Sequence, residues 1–345
     1  MSTQRSSTIG RRWAMFAALA AFAGLTACSK PDVVIYCALD QEFSKPFIEE
    51  FEKETGLVVE ARYDTEANKS VGLTTTLRDE KDYPRADVFW NNESANTIQL
   101  KQLGVLAPYE SPNAADIPEQ WKDPEGYWTG FAARARILIV NSEKLGDREM
   151  PDSMDAFLDP AFKGEAAVAM PLAGTTRSHF TALFHVLGEE AAREWLNGIV
   201  QNGVQTPSGN AQLARDVADG KITYGFTDTD DFQVQLDKGK PVKRVFPDQG
   251  EGQPGTMIIP NTVAMIQGAP HPENAKKLID YILRRQTEEA LAKGRSAQIP
   301  VRDDVPRPEY VIKLGDIRPM KVDWAKAAAE LDARQTELRD IFAGN

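Results

Sequence analysis

The chain has 345 residues, 26% of them charged, and a formal net charge of −11 at pH 7. This length is enough for two lobes of ordinary domain size. A surface so acidic argues against nucleic acid or anionic lipid as a partner, because both would be repelled.

The first 27 residues are typical of a secretory leader. Three arginines precede an uncharged apolar run from Trp13 to Leu25, which is shorter than the roughly 20 residues that a membrane-spanning helix needs. The following Leu25-Thr26-Ala27-Cys28 resembles the lipobox of bacterial lipoproteins, which implies cleavage before Cys28 and lipid on its sulfur. An ordinary signal peptide with an incidental cysteine is the alternative.

Cleavage at this point would remove 27 of 345 residues and leave 318. The removed part carries three arginines and no acid, so the formal charge would become −14. With Cys28 lipidated, Cys37 has no cysteine to pair with, and no internal disulfide is expected. Residues 28–32 would tether the protein to a membrane, in the periplasm or at the cell surface.

Strands and helices alternate in the first part of the mature chain. Apolar periodicity predicts strands at Val33–Tyr36, Leu57–Tyr63 and Ala86–Trp90, and helices at Lys45–Thr55, Ser70–Lys81 and about Ser94–Leu103. This rhythm predicts a parallel, doubly wound sheet, with a ligand site beyond the carboxyl ends of its strands.

A second α/β series begins near Leu145. It contains predicted strands at Ala166–Ala169 and Ile222–Phe226 and predicted helices at Thr176–Leu187 and Glu190–Asn202. Two β-favouring segments, Phe131–Asn141 and Thr262–Gln267, are candidates for strands that join the lobes. A helix at Pro272–Arg285 would return to the first lobe, and another at Val322–Phe342 would end the chain. We expect lobe 1 to comprise 33–135 and 263–300, lobe 2 to comprise 136–262, and 301–345 to form a helical C-terminal segment.

Four short runs carry a family resemblance: Val34-Ile35-Tyr36, Ala86-Asp87-Val88-Phe89-Trp90, Gly104-Val105-Leu106-Ala107-Pro108 and His271-Pro272-Glu273-Asn274-Ala275-Lys276-Lys277. In this order and spacing they resemble the ferric-iron-type periplasmic solute-binding proteins, whose relatives also bind sugar phosphates, aminoethylphosphonate and thiamine. The resemblance implies a two-lobed Venus-flytrap fold of periplasmic binding protein type II. It also implies an ABC permease with its ATPase as partner, a monomer, no cofactor and no chemistry on the solute.

The resemblance also implies where the ligand binds. Ferric members hold the metal with a histidine, a glutamate and two adjacent tyrosines, and these positions correspond here to Asp40, Glu93 and Asp230-Asp231. The tyrosine pair is therefore missing, and carboxylates stand at all four positions; carboxylate oxygens suit hard cations or an ammonium group. The whole run of oxygen-bearing side chains is a candidate site, comprising Thr227, Asp228, Thr229, Asp230 and Asp231. The alternative is that these residues only cap a helix.

A candidate anion seat follows the strand near Ala166. Thr175, Thr176 and Arg177 open a helix, where exposed N–H groups attract anions. The resemblance supports this, since ferric members carry a synergistic anion at the matching loop and phosphorylated-solute members place the phosphate there. A simple threonine cap is the alternative. Arg134 and Arg136 lie on one side of a predicted strand and could add positive charge or form structural ion pairs.

Several neighbouring residues are weaker candidates. Asp64-Thr65-Glu66 follows the second strand and could contact a ligand at the rim. Tyr36, Trp90 and Phe232 are more typical of core than of ligand contacts, and Cys37 is more typical of a small buried residue than of a metal ligand.

Two ligand hypotheses remain open. The first is a metal ion, iron(III) by resemblance, held by Asp40, Glu93, Asp230 and Asp231 with an anion at Thr175 and Thr176. The second is a phosphorylated or phosphonate organic solute such as aminoethylphosphonate or a sugar phosphate.

Two other classes of function are disfavoured. A secreted metal-dependent hydrolase would need motifs that the sequence lacks. His179, His185 and His271 have no His-x-x-x-His spacing, and there is no Cys-x-x-Cys or Gly-x-Ser-x-Gly motif. A structural or adhesion lipoprotein would need neither joining strands nor polar clusters at strand ends.

Overall fold

The structure is a computed structural model that describes residues 30–64 and 71–343. The predicted leader, Cys28, Thr65 and Glu66 lie outside the described residues. The strands are β1 (Val33–Cys37), β2 (Val59–Tyr63), β3 (Val88–Asn91), β4 (Leu106–Ala107), β5 (Thr129–Asn141), β6 (Ala166–Val168), β7 (Tyr224–Asp228), β8 (Val242–Val245) and β9 (Ile258–Ile266).

The helices of the described ranges are α1 (Gln41–Thr55), α2 (Val71–Asp79), α3 (Ala95–Gln102), α4 (Ser142–Leu145), α5 (Gly174–Val186), α6 (Glu189–Gln201), α7 (Asn210–Ala218), α8 (Thr229–Asp237), α9 (Pro272–Ile282), α10 (Arg285–Lys293) and α11 (Trp324–Phe342). None of them, within the ranges described, has both the length and the apolar composition needed to cross a bilayer.

The strands form two lobes that share one sheet. Its order is β2-β1-β3-β9-β5-β7-β6, with β4 also paired to β9 and β8 to β5. We call lobe 1 the part built on β1 to β4 and lobe 2 the part built on β6 to β8. Strand β1 runs parallel to β2 and β3, and β6 runs parallel to β7, whereas β5 and β9 add antiparallel pairs. The predicted two-lobed α/β architecture is confirmed, and each lobe contains both parallel and antiparallel strand pairs.

Strands β5 and β9 join the lobes. The first half of β5 pairs with β9 and the second half pairs with β7 and β8. Within the first half lies a bulge at Ala132, whose φ of 41° is unusual for a residue with a side chain. The bulge is held by Glu288, whose Oε1 accepts the Ala132 N–H at 2.8 Å, and by Asn261, which donates to the Ala132 carbonyl. We call the part of β5 around this bulge, residues 129–135, the crossing region. It is held by side chains of other elements.

Several boundaries differ from the sequence prediction, and three of these differences involve a proline or the acidic run. Strand β9 begins at Ile258 rather than Thr262. The prediction began too late because Pro260 lies inside the strand, and a proline normally argues against a strand. Helix α1 begins at Gln41, so that Pro46 lies within the helix rather than in its first turn. Strand β7 extends to Asp228, and it therefore contains the first half of the acidic run.

Each lobe has an aromatic core next to its sheet. In lobe 1, Phe51 of α1 meets Tyr281 of α9 edge to face, with 5.3 Å between ring centroids. In lobe 2, Phe157 stacks on Phe226 at 4.9 Å. Full burial of such a side chain contributes about 1.5–3 kcal/mol. Tyr36, Trp90 and Phe232 are also buried in the core, as their sequence context favoured.

Helix α11 packs across both lobes. It lies against α3 of lobe 1 and against α5 and α6 of lobe 2. Asp332 accepts a hydrogen bond from Arg78 of lobe 1 at 3.0 Å, and Gln335 donates to the Leu172 carbonyl of lobe 2 at 3.0 Å. The C-terminal segment is thus part of the contact between the lobes.

A buried carboxyl group in lobe 2 predicts an unusual dependence of stability on pH. Asp248 is 3% exposed, and burial raises its pKa to about 6. Because the unfolded pKa is about 3.9, the folded state holds the proton more tightly, and the free energy of unfolding should fall as pH rises from about 4 to 6. Asp248→Asn should remove that fall and increase stability at pH 7 by up to about 3 kcal/mol. Urea unfolding at several pH values measures this; equal pH slopes for both proteins would contradict it.

Candidate functional site

A small cavity lies between the lobes at the carboxyl ends of β1, β3, β6 and β7. Its volume is about 60 Å³. Lobe 1 contributes Leu39, Asp40 and Asn92 to its wall, and β5 contributes Arg134. Lobe 2 contributes the remaining wall, which comprises Ala169, Met170, Ala173, Gly174, Thr175, Thr176, Ser208, Gly209, Asn210, Ala211, Asp228, Asp230 and Asp231.

Three aspartates form a carboxylate cluster in this wall. Asp228 ends β7, and Asp230 and Asp231 lie in the first turn of α8. One carboxylate oxygen from each lies within 4.8 Å of the others. Asp40 lines the same cavity from lobe 1, at the start of α1. Such a cluster could hold a hard metal ion or an ammonium group.

Two buried arginines of β5 lie on either side of Asp228. Arg134 donates to Asp228 at 2.8 Å and lies 3.6 Å from Asp230, while Arg136 donates to Asp228 at 2.9 Å. Burial works to raise the pKa of Asp228, but the two guanidinium groups outweigh it and lower that pKa below its usual value. The ion pairs considered for these arginines are present, and they compensate part of the charge of the cluster.

Two helices of lobe 2 point their N-termini at the cavity. Gly174, Thr175 and Thr176 open α5, Asn210 opens α7, and neither helix has a side-chain cap. Gly174 has a φ of +57°, a conformation that glycine adopts without strain, and this allows the chain to turn into α5. Uncapped N–H groups and the helix dipoles make this wall a candidate seat for an anion.

The threonine hydroxyls of this seat are already engaged. Thr175 donates to Asp228 at 3.1 Å and accepts from Asn210 at 2.8 Å, and Thr176 accepts from Arg136 at 2.6 Å. An anion would therefore be bound by main-chain N–H groups of α5 and α7. Sequence reasoning missed α7, although Ser208-Gly209-Asn210 is a turn-forming cluster that could have marked its start.

Glu93 and Arg177 do not line the cavity. Both oxygens of Glu93 accept main-chain N–H groups at the start of α3, at 2.7 and 2.8 Å, and Oε2 also accepts from Ser178 of lobe 2 at 3.0 Å. Arg177 donates to Asn96 of lobe 1 and to Gln335 of α11. These contacts connect the two lobes directly to each other.

The other sequence candidates lie behind the cavity wall. Thr227 donates to Asp231 at 3.0 Å, and the hydroxyl of Thr229 accepts the Ala135 N–H at 3.3 Å, so both support the wall without lining it. Asp64 accepts the Leu73 N–H at 3.3 Å. Burial raises the pKa of Cys37 to about 12, so its thiol stays protonated and is a poor metal ligand.

Comparison with known proteins identifies the family. Residues 85–313 match the model of the bacterial extracellular solute-binding protein family. The chain belongs to this family. A Serratia marcescens relative named Fe(3+)-binding periplasmic protein is 24% identical over 91% of each chain. A Salmonella typhimurium relative named putative 2-aminoethylphosphonate-binding periplasmic protein is 27% identical over 82% of each chain.

Solved structures of this kind share the fold. A periplasmic binding protein of Actinobacillus pleuropneumoniae, solved with fructose-6-phosphate bound, superposes with a TM-score of 0.81 at 23% identity. The match covers 91% of the present chain and 99% of the Actinobacillus protein. This confirms the type II two-lobed fold that the sequence runs predicted.

Proposed function

We propose that the chain is the solute-binding component of an ABC importer, anchored by lipid on Cys28 in the periplasm or at the cell surface. In this proposal a monomer closes over a small ligand and delivers it to the permease and its ATPase. The observation that carries the proposal is one interlobe cavity with a carboxylate cluster and two uncapped helix N-termini. A ligand that touches both lobes stabilises the closed form, so affinity and closure are linked.

The leading ligand is a hard metal ion, such as iron(III), bound together with a small oxyanion. The cluster of Asp228, Asp230 and Asp231 would hold the ion, with Asp40 approaching from lobe 1. Glu93 could join only by giving up its bonds at the start of α3. The volume favours a ligand of few atoms, because a single water needs roughly 10–15 Å³ by such a measure. The iron-binding name of the Serratia relative supports this assignment.

The second candidate is a phosphonate or phosphorylated solute with a cationic group. Arg134 is the observation that favours it, because a guanidinium 2.8 Å from Asp228 and 3.6 Å from Asp230 repels a multivalent cation. An ammonium group would need less negative charge, while the phosphonate would bind the N-termini of α5 and α7. The aminoethylphosphonate-binding name of the Salmonella relative supports this candidate.

Delivery of an unchanged ligand is part of this proposal, and it is supported by the family to which the chain belongs. His179 is buried in lobe 2, and burial lowers its pKa to about 3, so its ring stays neutral. The family itself is one of solute-binding proteins.

Native mass spectrometry tests the proposal and separates the two ligands. The probe is the chain from Ser29 onward, purified without chelator, with metal and phosphorus analysis of the same sample. One metal per chain supports the metal with its anion, whereas a phosphorus-containing adduct without metal supports the organic solute. If neither metal salts nor phosphonates or sugar phosphates bind or stabilise the protein, the proposal is wrong.

Asp230→Ala should weaken ligand binding by about 10-fold to 100-fold, which corresponds to the loss of a charged hydrogen bond worth about 1.5–3 kcal/mol. The apo melting temperature should stay nearly unchanged, because the change also relieves repulsion among three close carboxylates. Calorimetric titration and thermal melts measure both quantities. Asp237→Ala is the matched control, since Asp237 ends the same helix and is exposed. Intact binding with an apo stability loss of about 0.5–2 kcal/mol would instead indicate a capping role.

A further inference from the structure

Arg136 reaches the starts of three helices from behind the cavity wall. It belongs to β5, is 1% exposed and does not line the cavity. Its guanidinium donates to Thr176 at 2.6 Å, to Asn210 at 2.9 Å, to Asp228 at 2.9 Å and to Thr175 at 3.3 Å. These partners open α5, open α7 and precede α8.

The starts of α5, α7 and α8 need a group that connects them. Each N-terminus carries a partial positive charge, and the three repel one another because their first turns lie around one small cavity. None of the three has a side-chain cap of its own. Arg136 satisfies the side-chain oxygens of the first turns, while Asp228 supplies the compensating negative charge.

The planar shape of the guanidinium matters for this role. A guanidinium presents five donors in a fixed fork, so its bonds fix the relative positions and orientations of their acceptors. A lysine at the same place would keep the charge but lose the fork. The register of β5 against β7 places Arg136 opposite Asp228, which fixes the guanidinium at the point where the helices meet.

We propose that Arg136 is a positioning residue that sets the geometry of the anion seat without touching the ligand. The inference rests on the proposed function, since it concerns the same cavity. It differs from a plain ion pair to Asp228, because Asp228 keeps Arg134 as a partner when Arg136 is changed. A change at Arg136 can therefore alter the geometry of the anion seat while Asp228 keeps a cationic partner.

Arg136→Lys tests the proposal, with Arg148→Lys as the matched control. Arg148 is a partly exposed arginine of lobe 2 that pairs with Glu165 away from the cavity. The probes are 2-aminoethylphosphonate and iron(III) with inorganic phosphate, titrated calorimetrically into stripped protein. For the probe that the unchanged protein binds, we expect Arg136→Lys to reduce affinity 10-fold or more and Arg148→Lys to leave it within twofold.

Hydrogen exchange of the ligand-free protein provides the second readout. Peptides covering 174–180 and 210–216 should exchange at least several-fold faster in Arg136→Lys, while the rest of lobe 2 stays unchanged. Unchanged exchange in both peptides, or faster exchange throughout lobe 2, would overturn the positioning role, as would unchanged affinity. If the unchanged protein binds neither probe, the proposed function fails, and the exchange result still decides the role of Arg136.

Discussion

Asp228→Asn is expected to reduce the free energy of unfolding by about 3–5 kcal/mol, the usual cost of removing one partner from a buried ion pair. The asparagine keeps the shape of the side chain but leaves Arg134 and Arg136 buried with less negative charge. Asp228 is 0% exposed and bonds to both. Urea unfolding of the mature chain at pH 7 measures the change.

The effect of Asp228→Asn should also depend on pH. Because the folded pKa of Asp228 is lowered, its contribution is present above the unfolded pKa of about 3.9 and is lost as pH falls through the folded value. The difference in free energy of unfolding between the unchanged protein and Asp228→Asn should therefore become smaller as the pH falls. Asp219→Asn, which removes an exposed pair with Lys240, should cost less than about 1 kcal/mol. If Asp228→Asn also lowers the free energy of unfolding by less than about 1 kcal/mol, burial does not strengthen the ion pairs of Asp228.

Arg302→Met is expected to destabilise the protein by about 3–5 kcal/mol as well. Arg302 is 2% exposed and donates to Glu288 at 2.8 Å, and Glu288 is 0% exposed. Methionine fills similar space but leaves the carboxylate of Glu288 buried without its cation. Since Glu288 also holds the bulge at Ala132, the change should loosen the crossing region of β5. Chemical unfolding gives the magnitude, and hydrogen exchange of residues 129–135 locates the effect.

Arg285→Met is the control for Arg302→Met. Arg285 pairs with Asp116 and Asp304 at the surface, where ion pairs contribute about 0–1 kcal/mol. Similar losses in the two variants would mean that burial of the Arg302–Glu288 pair does not set its contribution.

Strand and helix order in the sequence was enough to predict the two lobes. The alternation from Val33 to Leu103 predicted the parallel part of lobe 1, and the long β-favouring run before Asn141 predicted β5. Pro260 concealed the start of β9, because a proline cannot donate within a sheet and normally marks an edge or an end. Helix α7 was missed because only Leu213, Ala214, Val217 and Ala218 carry its buried face.

For the candidate site, the sequence indicated the types of residue in the cavity wall better than the role of each residue. The acidic run indicated the carboxylate cluster because it directly follows the predicted strand Ile222–Phe226, and the threonines indicated the start of α5. The orientation of single side chains was not accessible from local pattern. One residue after Thr176, Arg177 is rotated by about 100° around α5, the usual step of a helix, and it contacts Asn96 instead of the cavity. Glu93 is used at the start of α3, a competition between capping and ligand binding that sequence alone does not resolve.

A crystal structure of the ligand-loaded mature chain tests the central claim most directly. We expect density for one ligand in the cavity between the lobes, in contact with Asp230 and with the first-turn N–H groups of α5. Ligand density elsewhere would contradict the account, for example in the separate surface cavity lined by Trp121, Trp128 and Trp324. An empty interlobe cavity in a protein that binds the same ligand in solution would contradict it equally.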